Sequence, residues 1–561
     1  MSRGFHPFYY TSHPFQPWAA RPQPVFEGVF SMLRLANLSV PLDYTETTLR
    51  ALLLKKLSIP SSRLRSFQIV RRSVDARDRR DVHFVLSVDL NVEDEPSLLK
   101  MNRALSPVAP PRLPALPAVK LPRPPLVVGA GPAGLFAALE LARAGTRPIL
   151  VERGKNVTDR TEDVARMERD GLLLEDSNVQ FGEGGAGAFS DGKLTTGVKS
   201  PFLRSVLETF VAHGAPEEIL IDQKPHIGTD RLKGVVASIR QEILSLGGTV
   251  LFETRLEHLL IRAGRVEGGV VTHAGVSREI LTNAVLLCIG HSARDTVQAL
   301  FDDGVLMVPK PFAMGVRIEH PRALIDRAQY GAFAGHPALG AASYKLNCHT
   351  PDGRGVYTFC MCPGGRVIAA ASQPGGVVTN GMSLHTRKDV NSNAALLVGV
   401  RPEDFGESHP LAGFVLQRSL ERAAYRAGEG SGPFRAPAQR VEDFLADRPT
   451  VQFGEVTPSY RPGVTPADLR AVLPPWIAEN LKVGIRAMGA QLRGFDLPDA
   501  VLTAPETRSS SPVRLPRDAT GQAEGLLGLW PVGEGAGFAG GIVSAALDGI
   551  SAARAVLNQA H

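Results

Sequence analysis

The sequence is poor in cysteine, in aromatic residues and in long apolar runs. Its 561 residues include 4 Cys, at positions 288, 348, 360 and 362, which excludes a disulfide scaffold and favours a reducing compartment such as the cytoplasm. No CxxC pair is present, so no metal site is predicted. The absence of any run of about 18 apolar residues excludes an ordinary membrane span. A net charge of +6 with scattered Arg argues against nucleic-acid binding.

Glycine and proline are abundant instead, and they divide the chain. The 56 Gly are typical of a fold with many tight turns and close contacts between backbone and ligand. Residues 1–31 contain no apolar core of a secretory signal and are predicted to be a disordered extension, or sequence upstream of a start at Met32. A proline-rich linker over 106–125 follows the first patterned unit.

The unit over 32–105 has the pattern of a small α+β domain. Strands are predicted at 33–40, 65–72 and 82–90, with a helix around Leu49–Leu57, which gives a β-α-β-β order. The basic run at 71–80 is interpreted as a solvated hairpin.

A dinucleotide-binding fingerprint begins directly after the linker. The stretch LVVGAGPAGLFAALELARAGTRPILVERG (126–154) places a strand before Gly129-x-Gly131-x-x-Gly134, then a helix and a second strand. The glycines allow a tight turn, close approach of a diphosphate, and packing of helix on strand. Glu152 ends the second strand, where a carboxylate can bind a ribose and would repel the 2′-phosphate of NADP.

The C-terminal segment favours FAD over NAD. Residues 525–556 form a second strand, glycine turn and helix with no further βαβ unit. Glu534 is predicted to bind the ribitol hydroxyls, while the following helix directs its positive end at the flavin ring. We also predict a helix at about 231–245, an edge strand at 252–260 near the adenine, and a return strand at 283–290.

Several longer motifs resemble those of bacterial FAD-dependent dehydrogenases, sometimes labelled NAD(FAD)-utilising dehydrogenases. The resemblance extends from about 33 to 556 and implies FAD and a glutathione-reductase-type fold, but no substrate. The Cys288-Ile289 pair is a mild departure from its pattern. The matching stretches are FGEGGAGAFSDGKLTTG (181–197), PHIGTDRL (225–232), IGHSARDT (289–296), KPFAMGVRIEHPRALIDRAQYG (310–331), YTFCMCPGGRVIAAAS (357–372), VVTNGMS (377–383), ETRSSSPVR (506–514) and VGEGAGFAGGIVSAA (532–546).

The predicted fold class is therefore α/β, with a Rossmann-type, glutathione-reductase-like FAD-binding domain at 126–296 and 506–561. An inserted α+β substrate cap is predicted at 297–505, and the small α+β domain precedes both. The residues predicted to contact FAD are Gly129, Gly131, Pro132, Ala133, Gly134, Glu152, Arg153, Gly184, Gly185, Ala186, Lys193, Leu256, Gly290, Gly533, Glu534, Gly541 and Ile542.

Four residues are candidates for catalysis. Lys193 follows the glycine-rich stretch and could tune the flavin, and His291 follows a strand end where it could deliver a proton. Cys360 and Cys362 alternate in a predicted strand, which would place both sulfurs on one face with Cα atoms about 6.6 Å apart. Such a pair could relay electrons as a strained disulfide, or simply pack in the core.

Other polar residues are weaker candidates. His226 precedes a helix start, Asp191 and Arg294 accompany Lys193 and His291, and Arg508 and Arg514 lie among hydroxyls that could bind an anion.

The predicted function is that of an FAD-dependent oxidoreductase transferring a hydride between flavin N5 and a small or medium organic substrate. NAD(P)H remains open as a transient reductant, and the oligomeric state is open. Two alternatives are kept: an NAD-dependent dehydrogenase with a single Rossmann site, and a flavin-containing redox-sensing or binding protein.

Overall fold

The computed structural model describes residues 32–109, 113–116, 119–405 and 409–559. The predicted extension at 1–31 lies outside the described residues.

The first unit is a four-stranded antiparallel sheet with two helices. Its elements are β1 (Met32–Val40), α1 (Glu46–Leu57), β2 (Leu64–Asp75), β3 (His83–Val92), α2 (Glu95–Met101) and β4 (Leu105–Val108). The strands lie in the order β2-β3-β1-β4, so α2 and β4 extend the predicted β-α-β-β unit. Arg77 and Arg80 pair with Asp75 and Asp78 within the hairpin between β2 and β3.

The predicted FAD-binding region follows the linker. Its elements are β5 (Leu126–Val128), α3 (Pro132–Arg143), β6 (Ile149–Val151), α4 (Val157–Asp170), α5 (Leu203–Ala212), α6 (Thr229–Ser245), β7 (Thr249–Leu251), β8 (Thr254–Arg262), β9 (Arg265–His273), β10 (Val276–Leu281), β11 (Val285–Leu287) and α7 (Arg294–Asp302).

The inserted region carries a second large sheet. Its elements are β12 (Val308–Pro309), β13 (Phe312–Pro321), α8 (Arg322–Tyr330), β14 (Asn347–His349), β15 (Gly355–Cys362), β16 (Arg366–Ala369), β17 (Thr379–Met382), β18 (Asn391–Val400), α9 (Ala412–Glu429), β19 (Ala436–Arg440), α10 (Val441–Leu445), β20 (Val464–Pro466), α11 (Pro475–Gln491) and β21 (Val501–Glu506). The chain ends with β22 (Val513–Arg514), β23 (Leu529–Pro531) and α12 (Ile542–Asn558).

A five-stranded parallel sheet is the centre of the FAD-binding region. Its order is β23-β11-β5-β6-β7, so the last strand of the chain joins strands from the first half. The carboxyl ends of β5, β6, β11 and β23 therefore meet at one edge, where ligands of such sheets bind. This is an α/β fold of Rossmann type.

The predicted edge strand at 252–260 needs correction. The edge strand of the parallel sheet is β7, which ends at Leu251, and the backbone turns at Glu253 with φ +50°. Strand β8 then begins a separate three-stranded antiparallel sheet with β9 and β10. The alternating pattern of 252–260 belongs to this second sheet, which packs on the first through Leu126, Val128 and Leu256.

The cap sheet has seven strands in the order β14-β15-β18-β13-β21-β19-β20 and is mixed, because β19 and β20 run parallel. On β13, Met314, Val316 and Ile318 face an apolar core that also includes Leu33 and Leu90 of the small domain. The small domain and the cap therefore share one core. The opposite face of β13 carries Arg317 and is discussed below.

Candidate active site

The first glycine turn, residues 129–134, joins β5 to α3. A Cβ at Gly129 would lie 2.5 Å from the carbonyl oxygen of Cys288, and a Cβ at Gly134 would lie 1.8 Å from that of Gly129. Packing of the protein alone therefore requires these two glycines. At Gly131 the nearest atom to such a Cβ is Gly185 Cα, at 3.8 Å, and α3 starts there without a side-chain cap. The open space and the uncapped helix N-terminus fit a diphosphate.

Glu152 holds this turn in place. Its Oε2 accepts a hydrogen bond from Ala130 N at 2.7 Å, and its Oε1 accepts from Gly154 N and Gly182 N, each at 2.9 Å. A carboxylate has about four acceptor positions, so Oε2 can still accept from a ribose hydroxyl. The predicted ribose contact is compatible with this arrangement and stays a prediction.

The glycine-rich loop, residues 184–193, lies between the N-terminal ends of α3 and α12. Gly184 N donates to Ala130 O at 2.8 Å, and Gly185 lies against Gly131. A Cβ at Gly187 would lie 3.1 Å from the Ile542 side chain, at the first residue of α12. Residues 185–187 are half-buried, whereas Gly184 is buried, so the loop offers backbone and the Ala186 methyl group to the space between the helices.

The second glycine turn, residues 533–541, joins β23 to α12. A Cβ at Gly535 would lie 2.5 Å from Gly290 O, so this turn packs on the end of β11. No atom lies within 4 Å of a Cβ at Gly541, which precedes α12 and has no side-chain cap. Glu534 Oε1 accepts from Ser511 N at 3.2 Å, and burial raises the pKa of this carboxyl.

The two turns are held together by the contact of α3 with α12. Ala133 lies opposite Gly533, where a Cβ would approach the Ala133 Cβ to 3.2 Å, and Gly549 would clash with Ala133 O at 2.1 Å if it carried a side chain. Ala133 therefore serves helix packing. Pro132 occupies the first turn of α3, where its missing N–H costs no hydrogen bond.

A cavity of about 620 Å³ opens beyond the end of β6. Arg153 and Arg255 line it, and Arg153 is paired with Asp176 and Asp295. Leu256, a predicted FAD contact, instead has its side chain in the core at 2% exposure, so only its backbone could meet a cofactor. The cavity lies next to Glu152, where the adenosine end is predicted.

The cysteine cluster comprises Asp191, Lys193, Arg317, Cys360, Cys362 and Glu506. It is formed where the glycine-rich loop meets the cap sheet. Lys193 and Asp191 come from the loop, and the other four come from β13, β15 and β21. Three of the four predicted catalytic residues are thus brought together.

The expected geometry of Cys360 and Cys362 is corrected by the structure. The register of β15 on β18 shifts between Phe359 and Cys362, and Cys360 has φ +41°, a left-handed conformation rare for a residue with a side chain. The pair therefore lies in a β-bulge rather than a regular strand. The Cys362 thiol donates a hydrogen bond to Cys360 O at 3.3 Å. Cys360 is half-buried and Cys362 is fully buried.

Arg317 fixes this bulge from the buried side. Its Nη1 donates to Cys360 O at 2.9 Å, and its Nε donates to Glu506 Oε2 at 2.5 Å. Asn380 and Asn393 accept its remaining hydrogen bonds. The guanidinium is wholly buried, so its placement in a largely apolar strand depends on these partners.

The charges of the cluster favour a thiolate. The pKa of Cys360 is lowered because the neighbouring Cys362 thiol, Lys193 and Arg317 stabilise its thiolate, against the opposing effect of burial. The pKa of Cys362 is raised by its proximity to Cys360 and by burial. Burial raises the pKa of Glu506 to about 7, although Arg317 lowers it.

Lys193 is the member of the cysteine cluster whose charged group lacks a hydrogen bond. Among the described residues its buried Nζ has no hydrogen-bond partner, and its ion pair with Asp191 spans 3.5 Å. Asp191 instead binds the Arg387 guanidinium through both oxygens. Burial disfavours the charge on Asp191, but Lys193 and Arg387 outweigh it and lower its pKa to about 2. An ammonium without a hydrogen-bond acceptor at a ligand-facing loop indicates space for a bound group.

The fourth predicted catalytic residue, His291, lies in a different place, the arginine cluster of His291, Arg294, Glu421 and Arg508. Glu421 Oε1 accepts from Arg294 at 2.7 Å and from Arg508 at 3.0 Å, and Oε2 accepts from both as well. Burial, together with the two arginines, lowers the pKa of His291 to about 4. His291 is therefore neutral at pH 7 and bound to Ser292 at 3.0 Å.

The weaker candidates lie in three different places. His226 lies near Asp191 and stacks on His385, with ring centroids 5.2 Å apart, and burial lowers its pKa to about 4. Arg508 belongs to the arginine cluster, and Arg514 lies over the Phe538 ring at 5.1 Å. The described residues contain no group of three or more metal-ligating side chains.

Sequence reasoning missed Arg317, Glu421 and Glu506. Arg317 and Glu319 interrupt an apolar strand, FAMGVRIEHP, and this was the available signal for a buried charge. Glu506 ends the apolar strand β21 in the same manner. Neither pattern alone could pair the two residues, because 189 positions separate them.

Comparisons with known proteins address the family. An FAD binding domain profile matches residues 124–163, an "FAD-dependent protein, C-terminal domain-like" profile matches 311–509, and a domain of unknown function matches 32–91. An uncharacterized protein of Clostridium beijerinckii is 45% identical over 533 residues, which cover 94% of this chain and 99% of that protein. The chain belongs to this family of FAD-dependent proteins.

FAD is therefore the cofactor, and the predicted FAD-dependent oxidoreductase class is confirmed at that level. The glycine turns fit the group, as the open space at Gly131 and Gly541 shows. The NAD-dependent alternative has no support from these matches.

Solved structures give only distant matches. Pyridoxine 4-oxidase from Mesorbium loti is 13% identical, with 78% of this chain and 99% of that chain covered and a TM-score of 0.32. A geranylgeranyl bacteriochlorophyll reductase-like protein from Thermoplasma acidophilum is 10% identical, with 77% of each chain covered and a TM-score of 0.32. Such low scores carry no argument about this chain.

No helix among the described residues is long and apolar enough to cross a membrane.

Proposed function

We propose that the protein transfers a hydride between flavin N5 and a small or medium organic substrate, as a cytoplasmic dehydrogenase or reductase of the NAD(FAD)-utilising type with a glutathione-reductase-like FAD site. The observation that carries this proposal is the position of the cysteine cluster. It joins the glycine-rich loop, which touches both glycine turns, to the cap sheet.

Bound FAD supplies two-electron chemistry at N5. The chain supplies the surroundings: α3 and α12 offer uncapped N-termini to the diphosphate and the flavin ring, and Lys193 offers a cation. The exposed side of β15, with Phe359 at 46% exposure beside Cys360, provides an apolar surface on which a substrate can lie.

A reductant is required if the substrate is reduced. The chain has one complete βαβ fingerprint, so NAD(P)H would visit the flavin transiently and bind weakly. If the protein were instead a redox sensor, no substrate would be turned over at its flavin.

The test is an anaerobic screen of the purified flavoprotein against classes of organic substrate, read as loss or return of flavin absorbance near 450 nm. We expect one class to change the flavin rapidly over several turnovers. Slow, stoichiometric change with every class would contradict the enzyme and favour the sensor.

A companion test concerns the FAD site. Gly131→Asp places a carboxylate in the open space at the uncapped end of α3 and should abolish flavin retention. Gly197→Asp is the control, since Gly197 is exposed and has nothing within 4 Å of a Cβ. A fully yellow Gly131→Asp protein would contradict the site.

A further inference from the structure

The cysteine pair combines one half-buried and one fully buried residue in a single bulge. Cys360 is half-buried and borders the exposed Phe359, whereas Cys362 has no exposed surface. The Cys362 thiol donates a hydrogen bond to Cys360 O at 3.3 Å, and both residues are free cysteines. Thiol–disulfide exchange needs one sulfur that a partner disulfide can reach, and Cys360 is the less buried residue of the two.

The bulge departs from the geometry of a regular strand. In a strand the two Cα atoms would lie about 6.6 Å apart, near the upper limit of about 6.8 Å for a disulfide. The left-handed backbone at Cys360 and the shifted register replace this regular spacing. Arg317 fastens this backbone by its hydrogen bond to Cys360 O.

The charges around the cysteine pair stabilise a thiolate at Cys360, which a pair that only packs in the core would not need. Lys193 and Arg317 are the two cations that act on Cys360. The carboxylates nearby are already engaged, Asp191 with Arg387 and Glu506 with Arg317, and Lys193 Nζ has no hydrogen-bond acceptor among the described residues. Cysteines that only fill space in a core need no such cations.

We propose that Cys360 and Cys362 form a redox-active dithiol that exchanges an electron pair with FAD, and that the substrate is a small disulfide or the corresponding thiol. This inference rests on the proposed function and names its substrate class. Cys360 is the sulfur that attacks the substrate, and Cys362 is its enclosed partner.

The internal step balances in atoms and electrons. The Cys360 thiolate and the Cys362 thiol form one S–S bond and together release two electrons and one proton. Both electrons and the proton would pass to bound FAD, which the two glycine turns would hold. In the opposite direction the same electrons reduce the disulfide, and the thiolate is then free to attack a substrate disulfide, releasing one thiolate and forming a mixed disulfide that Cys362 resolves.

The test is an anaerobic dithionite titration of the holoprotein, with the flavin spectrum as readout. The oxidised wild type should take up four electrons per FAD, and the Cys360→Ser/Cys362→Ser variant should take up two. Cys348→Ser is the matched control, because Cys348 lies in β14 outside the cluster, and it should keep an uptake of four. An uptake of two electrons by the wild type would overturn the dithiol.

A second measurement needs no variant and no activity. The oxidised holoprotein is denatured in iodoacetamide, digested and weighed by mass spectrometry. The peptide containing Cys360 and Cys362 should carry no label before dithionite and two labels after it, while Cys348 is labelled in both samples. Two labels on the pair before reduction would overturn the proposal even if the serine variant failed to fold.

The substrate class is tested by mixing dithionite-reduced holoprotein with 5,5′-dithiobis(2-nitrobenzoate). Rapid release of thionitrobenzoate in the wild type, lost in Cys360→Ser, is expected, and equal rates in both proteins would overturn the role of Cys360. Four-electron uptake without turnover of any organic substrate would contradict the proposed function alone, whereas turnover with two-electron uptake would contradict the dithiol alone.

Discussion

The arginine cluster and the cysteine cluster both lie between the FAD-binding region and the cap, and both contain buried cations. In the arginine cluster one carboxylate, Glu421, binds Arg294 and Arg508 with both of its oxygens. In the cysteine cluster the carboxylates bind other partners, and Lys193 is left with Asp191 at 3.5 Å. The first arrangement joins the two regions, whereas the second leaves a cation near a thiol whose pKa is lowered.

The largest effect is expected from Glu421→Gln. The change leaves two buried guanidinium groups without a counterion, and breaking a buried ion pair in this way costs about 3–5 kcal/mol. The measurement is the free energy of unfolding in urea. Glu429→Gln, an exposed change on the same helix, is the control and should be nearly neutral. A loss below about 1 kcal/mol in Glu421→Gln would show that the cluster does not join the two regions.

A smaller effect on stability but a large one on reactivity is expected from Lys193→Met. No hydrogen bond is lost, so the free energy of unfolding should change by less than about 1 kcal/mol. The pKa of Cys360 should rise, so the pH at which its alkylation reaches half of the maximal rate should move upward.

The control for this variant is Lys199→Met, an exposed lysine of the same segment. The measurement is the pH profile of iodoacetamide labelling at Cys360, followed by mass spectrometry. An unchanged profile in Lys193→Met would show that Lys193 does not lower the pKa of Cys360. It would contradict the difference drawn between the two clusters.

The smallest effect is expected from His291→Asn, through the pH dependence of stability. Burial lowers the pKa of His226, His291 and His320 to about 4 from an ordinary value of 6.5. Between these values the unfolded chain binds protons that the folded chain does not, so stability falls as pH falls from 6.5 towards 4. Glu506, with a pKa raised to about 7, opposes this trend, since its folded form holds a proton between pH 7 and its ordinary range.

His291→Asn removes one of the three histidine contributions, so the fall in the urea midpoint between pH 7 and pH 5 should become shallower. His349→Asn, on the exposed part of β14, should leave the fall unchanged. Flavin reduction by substrate should persist in His291→Asn, and its loss would place the arginine cluster in the chemistry after all.

The sequence predicted what depends on local pattern. Gly129, Gly131 and Gly134 mark a turn whose shape is set within six residues, and α6 has its own apolar stripe, so both could be read from spacing. The second glycine turn could be placed for the same reason. Glu152 was expected to serve only the ribose, yet the backbone N–H groups of Ala130, Gly154 and Gly182 also bind it.

The sequence could not predict what depends on distant partners. The bulge at Cys360 arises because β15 pairs with β18 and because Arg317, 43 positions away, holds the Cys360 carbonyl. The fourth strand of the small domain was missed because β4 is short and lies at the beginning of the proline-rich linker. His291 followed a strand end as expected, but its neutrality comes from Arg294 and Arg508, which only the folded chain brings to it.

We expect the flavin ring to face the cysteine cluster and not the arginine cluster. A crystal structure of the FAD complex would show which cluster the ring contacts. We expect Lys193 Nζ within hydrogen-bond distance of the isoalloxazine ring and the sulfur of Cys360 or Cys362 in contact with the ring. A ring stacked against His291, with Lys193 and both cysteines out of contact, would contradict this expectation.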